Sequence, residues 1–324
     1  MKFQSKTLLL GAGVAATAMA TLTGVAYGLS SRLLHIALDR KTPRCVAKGR
    51  ARLSGEANDP LLPSKMDAAA QKLRGDGCVT VNITARDGTA LVGHWYENPA
   101  PQRIVIAMHG WRSSWSQDFG LIAPFFHAAG CSVLYAEQRG QNASGGEHMT
   151  FGLLERLDCA DWIQWAISHT VPNLPVYLAG VSMGATTVLM SAGLSLPSQV
   201  RGIIADCGFT SLHAIWRHVA ERNLHLKYDL HRLWVDRLFR RRLQLNAGSV
   251  STTEALSKSQ VPVLFIHGSA DAFVPVSMTY ENYRACAGAK ELLIVPGAGH
   301  GMSYLQEKAR YEQALLDFWK KYDH

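Results

Sequence analysis

Between residues 79 and 84 apolar and polar positions alternate one for one, Arg86-Asp87-Gly88-Thr89 interrupts, and the pattern resumes from 91 to 96. A period of two broken by Asp-Gly predicts an antiparallel hairpin. Beyond it the pattern changes to short continuous apolar runs at 104–108, 132–136, 176–179, 202–205, 263–266 and 292–295. Helical stretches separate them, at about 119–129, 154–168, 183–196 and finally 304–319. Strands that are apolar on both faces and alternate with helices belong to a mostly parallel sheet covered on both sides. With the hairpin at its edge, the sheet should have eight strands.

Two segments depart from this alternation. The stretch from 205 to 261 is longer than an ordinary connection, and Leu226, Leu230, Leu233, Trp234 and Leu238 recur in it at helical spacing. A small helical cap inserted over about 209–258 is expected. At the other end, Lys2 and Lys6 precede an uncharged run from 7 to 31 that stops at Arg32. That run is long enough to cross a bilayer, and although Ala18-Met19-Ala20 resembles a signal-peptidase site, the run continues well past it. An uncleaved, single-pass membrane anchor over 1–31 is therefore expected. The basic residues after it would keep the domain inside, whereas the signal-like start points outside; the expectation leans to an extracytoplasmic domain. Residues 32–74, interrupted by Pro43, Pro60 and Pro63, read as a juxtamembrane connector, which leaves 75–320 for the main domain.

Composition narrows the partners. A chain of 324 residues, 48% hydrophobic and 18% charged, can bury a large core and is not an extended disordered protein. The net charge of +8 permits nucleic acid, anionic lipid or acidic substrates without choosing among them. Much of the excess lies between Glu221 and Arg242, inside the expected cap, and no nucleic-acid recognition motif accompanies it. Those arginines are expected to be solvated over the site, with contact to anionic lipid as the alternative. The six cysteines are scattered without a Cys-x-x-Cys pair, which excludes the common zinc and thioredoxin-like motifs and suggests buried free thiols.

The chemistry concentrates at strand ends. Gly180-Val181-Ser182-Met183-Gly184 follows a buried run and opens a helix. Acyl transfer needs a hydroxyl exposed on a sharp strand-to-helix turn, and the flanking glycines permit that turn. The helix start then aims N–H groups at the developing negative charge. Met183 N–H is one expected oxyanion donor, and Trp111 N–H, in the turn His109-Gly110-Trp111 after the third strand, is the other. His109 is expected to brace that loop. Asp271 follows the run at 263–266 and is positioned to orient a histidine, with Asp206 as the rival acid. Of thirteen histidines, His300, in Gly297-Ala298-Gly299-His300-Gly301, follows Ser and Asp in the required order and stands between the last strand and the last helix.

These motifs resemble the α/β-hydrolase superfamily, and most of all bacterial members related to serine aminopeptidases and prolyl-oligopeptidase-like hydrolases, including small N-terminally anchored ones. The resemblance covers about 75–320. It extends to Glu137-Gln138-Arg139-Gly140-Gln141-Asn142-Ala143-Ser144, where many relatives have Asp-x-Arg-Gly-x-Gly-x-Ser; Glu137 and Asn142 depart from that pattern. It implies an α/β-hydrolase fold and hydrolysis without metal or organic cofactor. The leading expectation is a carboxylic ester cleaved through an acyl-enzyme by Ser182, His300 and Asp271. A peptide or thioester on the same triad is the nearest alternative, with Asp229 or Glu221 available to hold a free amine. A non-catalytic binding protein is the more remote one.

Overall fold

The computed structural model describes Thr21 and residues 23–41 and 61–323. Residues 1–20, which carry most of the expected anchor, and residues 42–60 of the expected connector, including Pro43, Cys45 and Pro60, lie outside the described residues. The eight strands are β1 (Val79–Thr84), β2 (Ala90–Tyr96), β3 (Arg103–Met108), β4 (Cys131–Ala136), β5 (Val176–Val181), β6 (Val200–Asp206), β7 (Val263–Gly268) and β8 (Lys290–Val295). They form one sheet in the order β1-β2-β4-β3-β5-β6-β7-β8. The β1–β2 and β2–β4 pairs are antiparallel and all later pairs are parallel. This is the α/β-hydrolase arrangement.

Every residue of β3, β4 and β7 is buried, as a strand covered on both faces must be. The period of two divides β3 between two cores. Ile104, Ile106 and Met108 pack with Trp162 and Val188, from helices Glu155–Ser168 and Met183–Ser191. Val105 and Ala107 face the other side, with Phe126 and with Phe318 and Trp319 of helix Lys308–Tyr322. The parallel strands therefore end together along one edge, and the loops leaving that edge carry the expected catalytic residues.

Between β6 and β7 lie helix Leu212–His218, a π-helical turn Val219–Asn223, and helices Tyr228–Leu243 and Thr252–Ser257. The buried residues of Tyr228–Leu243 are Tyr228, Val235 and Phe239, whereas Leu230 and Leu233 are 71% and 81% exposed. At 3.6 residues per turn the two sets lie roughly half a turn apart. Of the helically spaced leucines, Leu226 and Leu238 pack against the buried cluster that includes Phe239, itself 5.9 Å from Trp216, and Leu230 and Leu233 lie outside.

The expected single-pass membrane location is overturned. Among the described residues no helix is long and apolar enough to cross a membrane. A helix over 23–38 takes in the end of the uncharged run, whose described residues are mostly exposed, and continues past Arg32 onto the protein. Leu34 and Leu38 are buried beside Phe151, Phe209 and Phe239. Tyr27 meets Trp234 edge-on at 5.6 Å, and buried Ser30 shares a hydrogen bond of 3.0 Å with His231. No described helix supports the expected membrane partner either.

The expected connector also contains structure. Leu62–Gly75 is a helix with Pro63 in its first turn, where a missing N–H costs nothing. It lies so close to helix Trp115–Phe119 that a Cβ on Gly120 would stand 2.8 Å from the backbone of Ala69 and Ala70.

Candidate active site

Ser182 sits between β5 and helix Met183–Ser191 with φ 55° and ψ −117°. This left-handed conformation costs a non-glycine residue on the order of 1–3 kcal/mol and persists only where its surroundings enforce it. Here the Ser182 N–H is held by Asp206 O at 2.9 Å. The turn closes because its flanks are bare: a Cβ on Gly184 would lie 1.9 Å from Met108 O, and one on Gly180 would lie 2.3 Å from the Gly184 carbonyl.

Ser182 Oγ lies 2.8 Å from His300 Nε2, and His300 Nδ1 lies 2.7 Å from Asp271 Oδ2. The carboxylate as acceptor places the imidazole proton on Nδ1, leaving Nε2 to accept from the serine hydroxyl. Asp271 is itself fixed. Its Oδ1 accepts from Phe273 N–H and Val274 N–H, each at 2.9 Å, and His267 Nε2 lies 3.2 Å from its Oδ2. Burial pushes the Asp271 carboxyl up, but the His300 charge and the bonds from His267 and His300 outweigh it and hold it well below the usual carboxylate range. The rival acid is placed differently. Asp206 accepts from Ser303 Oγ at 3.1 Å, is fully buried, and is pushed up by that burial.

The two expected oxyanion donors flank the serine. Met183 opens the helix, and Trp111 lies in the loop after β3. Among the described residues neither N–H meets a protein acceptor. Their loop neighbours do: Gly110 N–H donates to Asp118 Oδ2 at 2.6 Å and Arg112 N–H to Gln141 Oε1 at 2.5 Å. His109 is fully buried; its Nε2 accepts from Gln138 N–H at 3.1 Å, so the Nδ1 proton points to Gly110 O at 2.8 Å.

Sequence reasoning missed the parts played by Asp118, by the paired departures Asn142 and Glu137, and by His267. Asp118 gave no motif signal. Asn142 did give one, as the departure from glycine in the 137–144 stretch. Its φ of 49° is the left-handed conformation a glycine would take there, and asparagine tolerates it while its Nδ2 donates to Ser113 O at 2.9 Å. Glu137, the other departure, bonds His94 Nε2 at 2.8 Å and Ala143 N–H at 2.5 Å. The last of these is His267, whose signal was only its place four residues before Asp271.

A cavity of about 130 Å³ opens beside Ser182 and His300, and its wall is mainly apolar: Met66, Phe119, Leu121, Ile122, Phe126 and Leu305 line it. The amine-binding carboxylates suggested for a peptidase do not line it. Asp229 is paired with Arg217 at 2.7 Å, and Glu221 lies 4.0 Å from the same arginine. Cys207, Asp271 and His300 bring one potential ligand atom each within 4.8 Å of one another, but two of the three are already joined in the hydrogen-bonded chain. The five described cysteines are free thiols, four of them buried.

Sheet, strained serine and hydrogen-bonded chain together define an α/β-hydrolase. The prolyl oligopeptidase family profile matches residues 117–323, and the chain belongs to that family. It is 30% identical to YqkD of Bacillus subtilis over 194 residues, which span 58% of this chain and 62% of that protein. It is 25% identical to YfhR of Escherichia coli K12 over 246 residues, covering 74% and 79% of the two chains. Among solved structures, the esterase Pf2001 of Pyrococcus furiosus superposes with a TM-score of 0.62 at 21% identity, over 78% of this chain and 94% of that one. The acylaminoacyl peptidase of Pyrococcus horikoshii superposes with a TM-score of 0.59 at 15% identity, over 76% of this chain and 41% of that one. At such identities the likeness is one of fold.

Proposed function

We propose that the protein is a serine esterase acting on compact apolar acyl esters. The observation that carries this reading is the unbroken chain Ser182–His300–Asp271, at 2.8 and 2.7 Å, at the mouth of an apolar cavity. His300 Nε2 takes the proton as Ser182 Oγ attacks the ester carbonyl, and Asp271 stabilises the imidazolium that forms. Trp111 and Met183 N–H groups receive the charge that develops on the carbonyl oxygen. His300 returns the proton to the leaving alcohol, and water, activated by the same imidazole, releases the acid from Ser182.

Two observations favour an ester over a peptide. Of the carboxylates in the cavity wall among the described residues, Asp118 is tied to Gly110 N–H and the Ser113 hydroxyl, and Asp206 is buried and pushed up. The cavity volume is also close to that of a pocket of roughly 150 Å³ known to hold benzene, which suits a short or aromatic acyl group.

The test pairs the wild type with Ser182→Ala on p-nitrophenyl esters of increasing acyl length, alongside a fluorophosphonate label. Labelling should vanish in the variant, and kcat should fall by about 10⁴-fold or more. Wild-type turnover should be highest for acyl groups near the size of benzene and drop for long chains. Labelling that persists in Ser182→Ala, or a folded wild type inert towards every ester, would sink the reading.

A further inference from the structure

The loop carrying Trp111 is fastened on both sides. Towards the sheet, Asp118 and Gln141 take the N–H groups of Gly110 and Arg112, and Asn142 Nδ2 donates to Ser113 O. Away from the sheet, the loop grips the end of helix 23–38. The Trp111 indole N–H donates to Ala37 O at 2.9 Å. The Arg112 guanidinium lies 5.1 Å from the centre of the Trp111 ring and donates to Ile36 O at 2.7 Å and Asp39 O at 2.6 Å. The last turn of any helix presents carbonyls without partners and a partial negative charge, so a guanidinium is well suited to cap it.

The helix end is in turn tied to the body of the domain. Met149 N–H donates to Leu38 O at 2.7 Å, Arg40 reaches the carbonyls of Asn142, Ser144 and Gly146, and Arg242 pairs with Asp39 at 3.0 Å. Residues 36–40 therefore form a wedge among the Trp111 loop, the 138–149 loop and the cap.

We propose that Arg112 is a positioning residue for the hydrolytic reaction: by clamping its own loop to the end of helix 23–38 it holds Trp111 N–H aimed at the oxyanion. The inference rests on the esterase reading. Arg112 is not among the residues lining the cavity beside Ser182; with φ of 53° its N–H meets Gln141 while its guanidinium reaches the helix end. Oxyanion donors act only if they are held before the reaction, since a loop that must reorganise gives back much of the stabilisation. A clamp of this kind acts on the transition state and leaves substrate binding nearly unchanged. Residues well before the sheet thereby become part of the catalytic apparatus.

The test compares the full-length wild type with Arg112→Met, Arg112→Lys and Trp111→Phe. Each is measured for kcat and KM on a short-chain p-nitrophenyl ester, for inhibition by an alkyl boronic acid that forms a tetrahedral adduct on Ser182, and for thermal melting. Arg112→Met should lower kcat by about 10- to 100-fold with KM changed less than about threefold, and should weaken the boronate in parallel. Arg112→Lys should recover part of the loss, and Trp111→Phe should reproduce a smaller version of it. Should Arg112→Met fail to fold, Trp111→Phe, which removes the bond to Ala37 and trims the ring beside the Arg112 guanidinium, carries the test of the clamp. Wild-type kcat and boronate affinity in folded Arg112→Met, or in Trp111→Phe where that variant stands in, would overturn the clamp. So would a lower melting temperature with kcat intact. A wild type that turns over no ester would instead overturn the esterase reading itself.

Discussion

Asp271 shows how much of the site is set by single residues. Its carboxylate accepts from two backbone N–H groups on one oxygen and lies beside two histidines on the other, which fixes its orientation and favours its charge. Only His300 continues to the serine; His267 is bound away from it, with Thr279 Oγ1 2.7 Å from its Nδ1. Asp271→Asn should therefore retain the fold and lower kcat by about 10⁴-fold, by offering an amide where the imidazole needs an acceptor. The comparison with Asp206→Asn on the same ester is decisive. If Asp206 were the orienting acid, that variant would suffer the larger loss. Ser182, Asp271 and His300 were legible from order and strand-end position alone. Asp118 and His267 were not, since an isolated acid or histidine acquires meaning only from what stands beside it.

At the scale of elements, alternation of apolar runs and helical stretches marked the strands, because a strand buried on both faces can carry almost no polar residue. In helix Tyr228–Leu243 the helical period was legible and the buried face was not. Two apolar stripes share its helical period, and periodicity cannot tell which one meets the protein. The structure buries Tyr228, Val235 and Phe239 and leaves Leu233 outside. Phe239→Ala should cost about 3–5 kcal/mol in chemical denaturation, by opening a cavity beside Trp216. Leu233→Gln should stay within about 0.5 kcal/mol of wild type. Equal costs for the two would mean that the leucine side is packed after all. Pro63 teaches a related lesson. Proline reads as an interruption, yet in the first turn it begins a helix, and the helix it begins contributes Met66 to the cavity wall.

Over the whole molecule, helix 23–38 joins the cap, the Trp111 loop and the 138–149 loop into one body. Leu38 is fully buried within the third apolar cluster. Leu38→Ala should destabilise the protein by about 2–5 kcal/mol in urea, in a single transition shared by cap and sheet. An unchanged midpoint would mean that the helix is only laid against the surface. By itself the sequence determined the eight strands, the strand-end order of serine, acid and histidine, and the glycines that let the chain turn at Ser182, because each follows from local pattern or steric demand. Only the tertiary structure decided where helix 23–38 docks, which face of the cap helix is inner, and which side chains hold Trp111 in place. Those are choices between partners remote in sequence, and a period or a motif carries no information about a partner.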